Sequence, residues 1–143
     1  MSPNTNMDYN IVIPARMASQ RLPGKPLARI AGRSLIEHVY RRACESSAAV
    51  VVIATDTAEI AAAATAFGAR AVMTSPRHQS GSDRIAECAD LLGWSDGTLV
   101  VNLQGDEPLM PAACLDQAAA LLAGDPGAAA ASLYWPITDA AWP

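Results

Sequence analysis

The chain has 143 residues, of which 51% are hydrophobic and 17% charged, enough for one globular domain with a real core. A formal net charge of -4 at pH 7 argues against a surface that coats nucleic acid. Residues 1–10 lack the apolar centre of a secretory leader and no later run is long enough to span a bilayer, so a cytoplasmic protein without a membrane or nucleic-acid partner is expected.

Residues 1–8 read as a flexible polar tail. The first element is the β-branched run Ile11-Val12-Ile13, a buried strand that stops at Pro14. A long loop follows, carrying Arg16, Arg21 and Lys25. Pro23-Gly24 suits the two central positions of a type II turn, because proline presets the first φ and glycine accepts the positive φ of the second. Such a turn aims Lys25 and nearby backbone N–H groups into the loop. Fixed amides and cations are what phosphate oxygens require, Arg as a fork and Lys as a point charge. The loop is no Walker A motif: Ser19 stands where its first glycine belongs and Pro26 where Ser or Thr follows the lysine. A solvated basic loop is the competing reading. Three cations confined by three prolines in a long connection favour anion binding.

A turn at Gly32 precedes a helix over 35–46, set by the spacing of Leu35-Ile36, Val39-Tyr40 and Ala43, with His38 on its surface. Residues 50–54 form a second apolar strand. Asp56-Thr57-Ala58-Glu59 then has the pattern of a capping box, with Asp56 as the cap of a helix reaching Phe67. A third strand is expected over 69–74, a helix over 83–92 stopped by Gly93, and a fourth strand over 98–103. Pro111 suits the first position of a helix that ends before Gly124, and 128–135 reads as a fifth strand. Cys44, Cys88 and Cys114 form no CxxC pair, and all three are expected as buried, inert thiols on helices.

Nearly all-apolar strands alternating with helices predict an α/β fold of three layers, a mainly parallel sheet with helices on both faces. In such sheets ligands bind beyond the carboxyl ends of the strands. The polar clusters at 16–25, 78–84 and 104–107 each follow a strand directly, so all three are expected along one edge.

Asp106 follows a strand and a permissive glycine, and its carboxylate can face the basic loop. A magnesium ion that keeps several waters and takes one or two carboxylates with phosphate oxygens fits beside it. A turn that merely reverses the chain is the other reading. Pro108 holds Glu107 extended and splays it from Asp106, leaving Glu107 as a supporting acid. Gln79-Ser80-Gly81 offers an amide, a hydroxyl and exposed backbone, groups able to read the edge of a small flat ring. Ser80 or Ser82 equally suits a helix N-cap. His78 has no carboxylate or cysteine at catalytic spacing and is not read as a general base.

Together, Pro14-Ala15-Arg16 with Ser19, Arg21-Leu22-Pro23-Gly24-Lys25-Pro26-Leu27, His78-Gln79-Ser80-Gly81 with Asp83-Arg84, and Gln104-Gly105-Asp106-Glu107-Pro108 resemble the 3-deoxy-manno-octulosonate cytidylyltransferases, which make the activated sugar CMP-Kdo. The resemblance runs over 9–143. Acylneuraminate cytidylyltransferases share the Ala-Arg opening and a Gly-Lys, but not the other two strings.

The resemblance implies a nucleotide-diphospho-sugar transferase-like fold and a reaction of CTP with Kdo, giving CMP-Kdo and pyrophosphate for lipopolysaccharide biosynthesis. It further implies magnesium as cofactor and a homodimer for the full-length protein. By matching position, Arg16 and Lys25 hold the triphosphate, with Ser19 in the same loop. Pro14 and Ala15 through their backbone, with Gln79, Ser80 and Gly81, recognise cytosine. Asp106 binds magnesium and Gln104 faces the sugar, so Arg16, Lys25 and Asp106 form the catalytic set.

Gln20 stands where the family usually has Thr or Ser, and Ser82 where Thr is common. Family members also continue well beyond residue 143. The chain is therefore expected to be the nucleotide-binding portion of a single domain, incomplete at the C-terminus. The second acidic metal ligand, much of the Kdo pocket and the dimer contacts would be missing. The alternatives are a CTP-binding module or remnant without turnover, and a cytidylyltransferase acting on a sialic acid.

Overall fold

In strand β1 (Tyr9–Ala15) every residue is buried, because this strand is central and covered on both faces. The computed structural model describes residues 8–17, 24–125, 127–128 and 130. After β1 come a single 3-10 turn (Lys25–Leu27), a small hairpin of β2 (Arg29–Ile30) and β3 (Arg33–Ser34), and helix α1 (Leu35–Cys44). Then follow β4 (Val50–Thr55), α2 (Ala58–Ala66), β5 (Arg70–Met73), α3 (Gly81–Leu91), β6 (Leu99–Asn102) and α4 (Ala112–Ala123). The main sheet has the order β5-β4-β1-β6, and every pairing in it is parallel.

Alternation along β1 builds two cores of unequal size. Tyr9, Ile11, Ile13 and Ala15 face Ile36, Val39 and Ala43 of α1, Ile60 and Ala64 of α2, and Leu115 and Ala119 of α4. Val12, with Val52, Ala54 and Val72, faces Cys88 of α3. The expected three-layer, parallel α/β architecture is thus present, with α3 as the helix on the second face among the described residues.

Pro14 lies inside this central strand, where proline is normally excluded because it cannot donate to the ladder. Its register explains the tolerance. Leu103 N–H donates to the Val12 carbonyl at 3.1 Å, so alternate backbone groups from Val12 to Pro14 face β6. The β1–β6 pairing ends at Val12 with Asn102, one rung short of the place where a donor from Pro14 would be needed. The chain then leaves the sheet as the Gln104-Gly105-Asp106 turn.

The strand expected to stop at Pro14 runs on to Ala15. Asp56 is not the cap of α2: Thr57 holds that position, and Asp56 instead accepts from the Thr57 hydroxyl at 2.8 Å. Pro111 is the cap of α4 rather than its first residue. Helix α3 begins two residues earlier than expected, with Ser80 as its cap. Of the cysteines, Cys88 is buried and its thiol is pushed up to about 11 by that burial. Cys114 is half-buried, and Cys44 is exposed, because it sits about 100° round the helix from the core-facing Ala43. The expected tail at 1–8 and fifth strand at 128–135 fall almost wholly outside the described residues.

Across the larger core, Asp116 of α4 ties the start of β1 to the chain leaving α1. It accepts from the Tyr9 hydroxyl at 2.5 Å, the Ser47 backbone N–H at 2.9 Å and the Ser47 hydroxyl at 2.7 Å. Burial, and then the bond to Asp116, pushes the Tyr9 hydroxyl up to about 12. Burial acts to raise the Asp116 carboxyl, but the hydrogen bonds from Tyr9 and Ser47 outweigh it and hold it below the usual range.

Candidate functional site

Two adjoining cavities open at the carboxyl ends of β1, β5 and β6, where a parallel sheet presents its ligand crevice. The first, about 120 Å³, is lined by Pro14, Ala15 and Arg16, by Lys25 and Pro26 of the 3-10 turn, by Leu35, and by Gln104, Gly105 and Asp106. The second, about 130 Å³, shares Pro14, Ala15, Arg16 and Gln104 and adds residues 78–81 with Arg84. Nine of the ten residues singled out from sequence line these cavities; Ser19 lies outside the described residues.

Each element delivers its group for a local reason. Gly24 takes φ 79° and its N–H bonds to the Met17 carbonyl at 3.1 Å, the positive φ expected of the second central position of a type II turn. The 3-10 turn that follows brings Lys25 Nζ to 3.7 Å from Asp106 Oδ2. Gly105 is required by contact: a Cβ there would stand 3.0 Å from the Pro14 carbonyl oxygen and 3.4 Å from both Ala15 Cβ and Ile36 Cδ1. Gly81 is nearly as tight, with Gln104 Nε2 and the Pro14 ring each 3.3 Å from where its Cβ would be. These two glycines let the three separate stretches close on one another.

Ser80 serves as a cap, its hydroxyl accepting from Asp83 N–H at 3.2 Å, while also lining the second cavity. Gln104 donates its amide to Asn102 Oδ1 at 3.0 Å and lines both cavities.

Several partners were not legible in the sequence. Arg84 is 3% exposed, and its guanidinium donates to the Thr74 hydroxyl and to the Ser75 carbonyl, with Asp56 Oδ2 3.6 Å away. Asp56 is therefore a counter-ion at the end of β4. One signal was available: Arg84 and Cys88 are four apart, which puts an arginine on the buried stripe of α3. His78 does have a carboxylate partner, contrary to expectation, since its Nε2 lies 2.5 Å from Glu87 Oε1. Nine residues separate the two, and they meet because α3 lies back over the loop before it. The Ser75 N–H bond, then the His78 bond, holds the Glu87 carboxyl below its usual range.

The first cavity thus carries two cations and one carboxylate at its rim, and the second sets the neutral groups of Gln79, Ser80 and Gln104 beside Arg16 and the buried Arg84. Burial, followed by the charge of neighbouring Asp106, raises the Glu107 carboxyl. Among the described residues no group of three or more His, Cys, Asp or Glu side chains could enclose a metal. A lone carboxylate such as Asp106 suits a hard divalent cation that draws most of its ligands from water and phosphate.

A protein-family model described as Cytidylyltransferase matches residues 10–139. The 3-deoxy-manno-octulosonate cytidylyltransferase of Halorhodospira halophila is 53% identical over 132 residues, covering 92% of this chain and 51% of that protein. The protein of the same name from Cellvibrio japonicus is 53% identical over 131 residues, again 92% and 51%. A solved structure of CMP:2-keto-3-deoxy-manno-octonic acid synthetase complexed with CTP matches with TM-score 0.77 and 40% identity, over 84% of this chain and 49% of that one. A structure of 4-diphosphocytidyl-2C-methyl-D-erythritol synthase, at 14% identity and TM-score 0.63, over 83% of this chain and 55% of that one, shares the fold alone. The fold is nucleotide-diphospho-sugar transferase-like. The chain spans about half the length of the curated relatives it matches.

Proposed function

The chain belongs to the cytidylyltransferase family, and from that premise we propose that it supplies the nucleotide-binding part of an enzyme that joins CTP to 3-deoxy-D-manno-octulosonate. The products are CMP-Kdo, destined for lipopolysaccharide, and pyrophosphate. The observation that carries this reading is the meeting of Arg16, Lys25 and Asp106 around one cavity that opens beside Gln79-Ser80-Gly81.

In the mechanism this supports, cytosine lies against Gln79, Ser80 and Gly81 and the backbone of Pro14 and Ala15, while the triphosphate extends toward Arg16 and Lys25. An acceptor hydroxyl, placed on the Gln104 side, attacks the α-phosphorus in line as pyrophosphate departs. Such a displacement needs positioning and charge neutralisation more than a covalent nucleophile. Arg16 grips phosphate oxygens as a fork, and Lys25 exchanges its contact with Asp106 for the leaving pyrophosphate. Magnesium, held by Asp106 and phosphate oxygens, would supply further neutralisation of the charge that builds on the leaving group. We further read the longer protein as a cytoplasmic homodimer; among the described residues no helix is long and apolar enough to cross a membrane.

A second reading is a CTP-binding module without turnover, favoured because Asp106 is the one carboxylate that lines the first cavity among the described residues. A sialic acid acceptor is the third. Calorimetry of the chain with CTP, and pyrophosphate release by the full-length protein with CTP, Kdo and magnesium, separate them. Binding with release supports the transferase, binding without release supports the module, and release faster with a sialic acid than with Kdo changes the acceptor. No binding of CTP by the chain marks it as a remnant without turnover.

A further inference from the structure

The loop between β5 and α3 is gripped by the helix that follows it. The Ser75 N–H donates to Glu87 Oε1 at 2.9 Å, and the Ser75 carbonyl accepts from Arg84 Nη1 at 3.3 Å. Two side chains one turn apart on α3 therefore hold both backbone polar groups of one residue. The same Glu87 oxygen holds His78 Nε2 at 2.5 Å. An ionised carboxylate only accepts, so that ring nitrogen carries the hydrogen. One carboxylate thus pins two points of the loop, at 75 and 78, immediately before Gln79-Ser80-Gly81.

We propose that Glu87 is a positioning residue for nucleobase selection, fixing through Ser75 and His78 where Gln79-Ser80-Gly81 present their hydrogen-bonding groups. The proposal rests on the reading of the second cavity as the base pocket. Glu87 itself does not line that cavity, so it acts through the loop rather than by touching the base. Cytosine and uracil differ by exchanging a donor for an acceptor at one ring position and one ring nitrogen. Only groups held in place tell them apart, since an amide free to rotate offers either its oxygen or its nitrogen. A loop released from Glu87 would still meet a pyrimidine, but would distinguish the two less well. The phosphate end would be unaffected, because Arg16, Lys25 and Asp106 are carried by other segments.

The test is the affinity of the full chain for CTP, UTP and inorganic tripolyphosphate, for wild type, Glu87→Ala and Glu87→Gln, with circular dichroism and thermal melting as the check on folding. Glu87→Ala should weaken CTP by about tenfold, equivalent to losing about 1.4 kcal/mol, and bring the CTP-to-UTP preference toward unity. Tripolyphosphate affinity should stay unchanged. Glu87→Gln keeps an acceptor oxygen and should recover part of both losses; it also carries the test if the alanine variant does not fold. Equal weakening of all three ligands, or no change in the CTP-to-UTP ratio, overturns the proposal and leaves the base pocket intact. Wild-type chain that binds tripolyphosphate as tightly as CTP refutes the base pocket itself, and this inference with it.

Discussion

Lys25 and Asp106 face each other across the mouth of one cavity, Nζ to Oδ2 3.7 Å, with side chains 39% and 55% exposed. At that exposure an ion pair is worth between nothing and about 1 kcal/mol. It stabilises little and is readily given up. The lysine is thereby held over the cavity, available to a more highly charged anion.

Replacing Lys25 with Ala should weaken CTP by the value of one charge-assisted contact, about 1.5–3 kcal/mol. The same variant should bind Mn²⁺ several-fold more tightly in the absence of nucleotide, since a competing cation has left Asp106. Calorimetry measures the first effect and electron paramagnetic resonance of free Mn²⁺ the second. Unaltered CTP affinity would make Lys25 a solvated surface residue.

Asp106→Asn should bind CTP without metal at least as well as wild type, because one negative charge has been taken from the phosphate end. The increment in affinity that magnesium brings to wild type should disappear. A titration of CTP with and without magnesium reads both, and a persisting increment would move the metal elsewhere.

Arg84→Ala should be among the most destabilising single changes in the chain. It leaves Asp56 without its counter-ion and the Thr74 hydroxyl and Ser75 carbonyl without their donor. Removing one member of a buried ion pair costs up to about 3–5 kcal/mol, less here in so far as Asp56 keeps some contact with water, and urea denaturation would reveal it as a large fall in midpoint. Arg84→Lys should recover only part, since an ammonium lacks the planar fork.

Gly105→Ala brings a methyl to 3.0 Å from the Pro14 carbonyl, so the turn or the strand must give. A cost of about 1–3 kcal/mol is expected from such overpacking. Asp106, next in the chain, would move with it, and CTP affinity in magnesium should fall more than tripolyphosphate affinity measured without metal.

Tyr9 and Asp116 set opposite ends of a stability plateau. The Tyr9 hydroxyl is raised from 10.0 to about 12 in the fold, so its contribution is complete below pH 10 and is lost as pH rises toward 12. The Asp116 carboxyl is lowered from 3.8, so its contribution is present above that value and is lost as pH falls through the lower, folded one. Tyr9→Phe should cost about 1 kcal/mol at neutral pH and flatten the alkaline limb of the curve. Denaturation midpoints across pH measure it, and an unchanged alkaline limb would remove Tyr9 as its source.

The layered α/β arrangement and the shared rim were legible because they follow from local signals: apolar runs of strand length, and polar clusters directly after them. A parallel sheet turns those two facts into proximity, which is how Asp106 and Lys25 come together. What the sequence hid depends on distance along the chain. The pattern at 56–59 looks like a cap, and nothing local shows that Asp56 answers a charge on α3. His78 looks unpartnered until α3 lays Glu87 against it. Cys44 reads as apolar by company, yet one helical step takes it from the core to solvent.

The proline in the central strand has one more consequence. Adjacent parallel strands stay laced together for as long as each can supply a donor at every second residue, and Pro14 is where that supply fails. No bulky wedge is needed to part β1 from β6. A missing hydrogen decides the rung at which the sheet unzips, and the groups gathered from three distant stretches work in the gap that opens beyond it.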